Sequence, residues 1–161
     1  MPGRISIRPI EPHDHDRILD LNEASVEHLS PLDAERLGWM LSMASFAVAA
    51  TEGATLLGFA IGFDPGTGYD SENYRWWSDR SGDFVYLDRI VVAEEARGRR
   101  VGSALYDRLE AQARPRGAVV AEVNVDPPNE PSLNFHTGRG YVEHGRRGEP
   151  GHVVSMVRLD L

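Results

Sequence analysis

Apolar residues recur along this chain with two periods, and the changes between them mark out its elements. Residues 4–8, "RISIR", alternate apolar and polar as a half-buried strand does, and Pro9 and Pro12 close it. From Asp14 to Val26, Ile18, Leu21 and Val26 stand near a 3.6-residue period with Leu19 beside them. Ser30-Pro31 then opens a second short helix in "SPLDAERLGWML". "SFAVAAT" (45–51) and "TLLGFAIGFD" (55–64), parted by Glu52-Gly53-Ala54, form a predicted hairpin. "FVYLDRIVV" (84–92) has almost no polar relief, which predicts a strand buried on both faces in mid-sheet. A helix starts near Arg100, carries Val101, Leu105 and Leu109 on one face, and stops before Pro115. "AVVAEVNV" (118–125) is another interior strand. Pro131 suits the first turn of a short helix that Gly138 or Gly140 ends, and "YVEHGRR" (141–147) and "HVVSMVRLDL" (152–161), joined by "GEPG", are the last two strands. The predicted order is β-α-α-β-β-β-α-β-α-β-β, an α+β arrangement with one strand–helix–strand crossover. Residues 65–83, "PGTGYDSENYRWWSDRSGD", read as a long polar and aromatic loop of the kind that carries function.

At 161 residues and 41% hydrophobic content, the chain predicts one domain, 1–161, with one core. A net charge of -8 with a pI near 5.2 argues against nucleic acid as the partner, because neutralising phosphates needs a basic face. The absence of cysteine removes disulfides, a thiolate nucleophile and Cys-based zinc sites. No leader-like apolar segment and no membrane-length apolar run occurs, so the expectation is a cytoplasmic protein with no membrane partner.

The chemistry concentrates where the buried strand meets the next helix. Unpaired N–H groups and the positive end of the helix dipole make such a mouth an anion site. "RGRRVGS", Arg97 to Ser103, adds cationic side chains and two glycines, Gly98 and Gly102, where backbone can approach a ligand. A diphosphate suits it; the competing reading is a turn glycine with a solvated arginine rim. Neither a GxxxxGK[ST] nucleotide loop nor a GxGxxG dinucleotide fingerprint is present.

"IVVAEEARGRRVGSAL" resembles the acyl-CoA signature of the GNAT superfamily of N-acyltransferases, Gln/Arg-x-x-Gly-x-Gly/Ala after a central strand. Arg97 matches its first position and Gly102 its last, and Arg100 stands where the family usually has a glycine. "NEPSLNFHTGRGY" is similar to the second signature of that family, with Asn129, Ser132, Phe135, Gly140 and Tyr141 in register. The resemblance implies a mixed, largely antiparallel central sheet flanked by helices, with acetyl-CoA as cosubstrate. It further implies that Ile90 and Val92 offer backbone groups to the pantetheine, that Arg97, Gly98, Arg99, Arg100, Val101, Gly102 and Ser103 hold the pyrophosphate, and that Asn129 hydrogen-bonds the pantetheine. As bare sequence, Ile90 and Val92 are core residues of any fold.

An alkylammonium titrates near pKa ~10.4, so acyl transfer to an amine needs a proton acceptor. Asp88, which interrupts the apolar strand at a place similar to one where family members carry a glutamate, is the expected base; pairing with an arginine such as Arg89 is the alternative. His136 stands where the family often has a tyrosine acid and is expected to protonate the leaving thiolate, with CoA contact alone as the other reading. With no cysteine and no GxSxG, direct attack in a ternary complex is the expected route. "HDHD" (13–16) lies at a helix start, where Asp and His are common caps, and no metal is expected.

The acceptor is expected to be a small-molecule or peptide amine, bound between "SVEHLSPLD" and "GYDSENYRWWSDR". There Tyr74, Trp76 and Trp77 can wall a pocket and Asp70, Glu72 and Asp79 attract a cation; anchoring of the loop or burial in a homodimer competes. A noncatalytic CoA-binding or ligand-sensing domain is the alternative function.

Overall fold

The computed structural model describes residues 3–27, 29–80 and 82–161. Among the described residues seven strands form one sheet: β1 Ile5–Pro9, β2 Phe46–Glu52, β3 Thr55–Phe63, β4 Val85–Val92, β5 Ala118–Asp126, β6 Val142–Glu149 and β7 His152–Asp160. Five α-helices accompany them: α1 His15–Ala24, α2 Ala34–Met43, α3 Glu72–Ser78, α4 Val101–Ala113 and α5 Glu130–Arg139. The spatial order is β1-β2-β3-β4-β5-β7-β6, and every neighbouring pair is antiparallel except β4 with β5. The crossover that parallel pairing demands is α4. This is the expected α+β fold, and no described helix is long and apolar enough to cross a membrane.

Local chemistry sets the helix ends. Asp33 caps α2 by accepting from Arg36 N at 2.8 Å, Ser71 caps α3 from Tyr74 N at 3.2 Å, and Asn129 caps α5 from Ser132 N at 3.3 Å. Gly140 closes α5 at φ 95°, a left-handed conformation that suits glycine. Helix α1 ends at Ala24, short of the expected Val26, which is exposed. Pro9 is the last residue of β1 and does not interrupt it, because an edge strand tolerates the missing N–H. The expected loop at 65–83 contains α3, whose seven residues are too few to show a period.

Two irregularities in the sheet make the site. The β3–β4 register jumps from Ile61↔Arg89 to Gly62↔Leu87, so Asp88 is an extra residue, a β-bulge in the central strand. Strands β4 and β5 pair only at Val85↔Val119 and Tyr86↔Val120. Beyond Tyr86 they diverge, leaving the β5-facing edge of Leu87–Val92 without ladder partners and opening a cleft in mid-sheet.

Candidate active site

The cleft holds a cavity of about 610 Å3 between β4, the turn into α4, β5 and the start of α5. Of the residues expected to bind the cofactor or act in catalysis, Ile90, Val92, Arg97, Gly98, Arg100, Val101, Gly102, Ser103, Asn129, Asp88 and His136 line it. At the helix mouth Gly98 lies at φ 80° and Arg100 at φ 61°, the one non-glycine residue with positive φ among the described residues. That left-handed turn leads into the 13-residue α4, whose first-turn backbone N–H groups have no partner within the helix and carry the positive end of its dipole. Arg97 and Arg100 have no side-chain ion pair among the described residues. Arg99 departs from expectation. Its guanidinium turns to Glu52 on β2 at 2.5 Å and does not line the cavity, so it fastens the turn to the sheet.

A second cavity, also about 610 Å3, opens on the other side of the β4–β5 junction. Its walls include Val26, Glu27 and Leu29 to Pro31 from the α1–α2 connection, Arg36 of α2, and Tyr69, Asp70, Ser71 and Asn73. His152 and Val154 of β7 complete it. The two cavities share Leu29, Asp88, Arg89, Glu122 and Asn124. Two carboxylates therefore stand where the compartments meet.

Asp88 is no lone carboxylate in an apolar wall. Its Oδ1 accepts from Tyr69 Oη at 2.5 Å and its Oδ2 from Arg89 Nε at 2.7 Å, with both ionic side chains under a tenth exposed. Sequence alternation would send neighbours 88 and 89 to opposite faces; the bulge removes that constraint. Glu122 was not anticipated. It lies part-buried on β5 and accepts the Tyr86 hydroxyl at 2.8 Å on each oxygen. Burial, reinforced by the Asp88 charge, pushes its carboxyl up to about 8. A glutamate in an alternating strand reads as solvent-facing, and only the divergence of β4 from β5 places it at the junction.

His136 is 6% exposed and both ring nitrogens are engaged. Nδ1 lies 2.7 Å from Ser132 O, which can only accept, so the proton is on Nδ1; Nε2 then accepts from Tyr106 Oη at 2.5 Å. Burial lowers its basicity, partly offset by the Ser132 carbonyl, and burial raises the Tyr106 phenol far above its usual range. The pair is thus neutral at rest. Tyr106, another residue the sequence did not single out, also lines the first cavity.

Tyr74, Trp76 and Trp77 line neither cavity. Tyr74 is buried and donates to Asp64 O at 2.6 Å, Trp77 is 1% exposed, and Trp76 lies under the Arg80 guanidinium at 4.3 Å. The structure has them anchor α3 to the body while the residues just before them face the second cavity. In "HDHD", Asp14 is taken up by Arg8 at 2.7 and 2.9 Å and by Glu11 N at 2.8 Å.

The acetyltransferase (GNAT) family pattern matches residues 15–141. No match was found among curated protein sequences. Among solved structures, Ard1 from Thermoplasma volcanium is 16% identical with a TM-score of 0.78, over 98% of this chain and 97% of that one. The putative acetyltransferase yncA from Salmonella typhimurium, solved with its cofactor acetyl-CoA, is 18% identical with a TM-score of 0.71, over 97% and 93%. Arabidopsis thaliana Naa50, in complex with the bisubstrate analogue CoA-Ac-MVNAL, is 13% identical with a TM-score of 0.72, over 98% and 99%.

Proposed function

Because the chain belongs to the acetyltransferase (GNAT) family, we propose that it moves an acetyl group from acetyl-CoA to a primary amine by direct attack. The observation that carries this reading is the meeting of an anion-cradled cavity with a second cavity at Asp88 and Glu122. Acetyl-CoA supplies the activated acetyl thioester. The backbone N–H groups of Gly98 and of Arg100 to Ser103, with the Arg97 and Arg100 side chains, would hold the diphosphate; the unladdered edge at Ile90 and Val92 would pair with the pantetheine amides, and Asn129 flanks the same arm.

The amine enters from the second cavity. Glu122 is better suited than Asp88 to accept its proton, since a carboxyl at about 8 is a stronger base and both Asp88 oxygens are occupied. Asp88 and its tyrosine and arginine partners form the polar floor on which the amine is presented. The leaving sulfur would take its proton from water beside the Tyr106–His136 pair, because the phenol's own proton is given to His136 Nε2 and burial makes that phenol a weaker acid.

Calorimetric titration with desulfo-CoA at two salt concentrations, then CoA release from acetyl-CoA with three amines, tests the proposal. The amines are an alanyl peptide amide, a lysyl peptide amide with blocked N-terminus, and n-butylamine. The Naa50 complex with a peptide-bearing analogue is the reason for including peptides. Salt-sensitive binding followed by CoA release supports the reading; no binding at either salt overturns it.

A further inference from the structure

Arg89 is 4% exposed, yet it lies at the floor shared by both cavities. A cation beside an acceptor pocket first suggests a grip on a substrate carboxylate. Its hydrogen bonds point elsewhere. Nε donates to Asp88 Oδ2 at 2.7 Å, Nη1 to Asn22 Oδ1 at 2.9 Å and to Ser30 O at 3.3 Å, and Nη2 to Ser30 Oγ at 3.0 Å. Tyr69 donates to the other Asp88 oxygen and so joins the guanidinium through that carboxylate. The guanidinium fork is committed within the protein.

What these partners have in common is position. Asn22 ends the buried face of α1 and donates its own Nδ2 to Ser30 O at 3.1 Å; Ser30 sits in the α1–α2 connection; Tyr69 precedes α3. The α1–α2 connection and the Tyr69 segment both wall the second cavity, and residues 29–33 have no regular secondary structure to hold them. From one buried point Arg89 reaches the first directly and the second through Asp88.

We propose that Arg89 is a positioning residue that fixes the shape of the acceptor cavity by tying the α1–α2 connection to the Asp88 carboxylate, and thereby selects which amines enter. The term acceptor rests on the acetyltransferase reading. The mechanical claim does not.

Two variants test it: Arg89→Lys, which keeps the charge but loses the fork, and Ser30→Ala, which removes one acceptor with little risk to folding. Hydrogen exchange on the protein without ligand should be faster over residues 26–31, about tenfold for Arg89→Lys and about fivefold for Ser30→Ala, and unchanged over 97–103. Desulfo-CoA affinity should stay within about twofold of wild type. With the best of the three amines, KM for the amine should rise about tenfold in Arg89→Lys while KM for acetyl-CoA holds. Unchanged exchange at 26–31 in Ser30→Ala, or equal acceleration at 97–103, would overturn the proposal. If the wild-type chain turns over none of the amines, the acetyltransferase reading fails while the exchange data still decide the role of Arg89; an Arg89→Lys chain that does not fold leaves the decision with Ser30→Ala.

Discussion

Tyr86 donates its hydroxyl to Glu122 at 2.8 Å, just beyond the last rung that β4 and β5 share. Tyr86 is fully buried, and burial together with the Glu122 charge keeps its phenol protonated, so the bond persists whether or not Glu122 is ionised. Glu122 is thereby held at the mouth of the cleft.

Replacing Glu122 by Gln should lower kcat about 100-fold, the lower end of what a general base contributes, and abolish a rise of kcat/KM through about pH 8. The same change should stabilise the protein in alkali. Because the folded carboxyl keeps its proton above the unfolded value of 4.5, wild-type stability declines as pH climbs from about 4.5 to about 8; Gln removes that decline. Melting curves at pH 4.5 and pH 8.5 check it, and a gap between variant and wild type that does not widen with pH would refute the assignment.

Neutralising Asp88 leaves Arg89 buried without its counter-charge. Asp88→Asn should cost about 3–5 kcal/mol, read from urea unfolding. The Asp88 charge also helps raise Glu122, so the rising limb of the pH–rate profile should move to lower pH in this variant. A limb in its original place would show that the two carboxylates are uncoupled.

Tyr106→Phe breaks the hydrogen bond of a buried pair, and His136→Phe breaks that bond and the one to Ser132 O, at about 1–3 kcal/mol of stability for each group left unmatched. Each should lower kcat and spare KM for acetyl-CoA. If the pair acts as one unit, the double variant should be no slower than the slower single one. Multiplicative losses would separate their roles.

Arg100 adopts a left-handed conformation with no side-chain cap. Arg100→Gly should relieve about 1 kcal/mol of backbone strain and raise Tm, while Arg100→Ala should not. Both should weaken desulfo-CoA binding, and the difference from wild type should shrink as salt rises.

Much of this architecture was readable from the chain. The apolar run of β4, the crossover helix with its glycine-bearing mouth, and residues of the two signatures at 97–102 and 129–141 all border the first cavity. What was hidden are relationships between elements. That Asp88 is a bulge depends on which residue of β3 lies opposite, and Gly62 gives no local sign of the offset. Glu122 faces the junction only because β5 leaves β4 two residues earlier. Arg99 and Arg100 look alike as neighbours in a basic stretch; a partner 47 residues away, Glu52, takes the first out of the cavity. In the 65–83 segment the apolar bulk of Tyr74 and Trp77 buries them in the body, while Tyr69, Asp70, Ser71 and Asn73 face the cavity.

The extra residue in β4 has a consequence for how such a site tolerates change. Inward and outward positions in a strand are a matter of odd and even count, and Asp88 shifts that count by one for everything downstream to Val92. A substitution at Asp88 alters one side chain. Its deletion would exchange the phase of Arg89, Ile90, Val91 and Val92 together, carrying the guanidinium away from Ser30 and reversing which backbone groups confront the cleft. Across related chains, a single-residue length change at this point would do more to the chemistry than several exchanges of residue type.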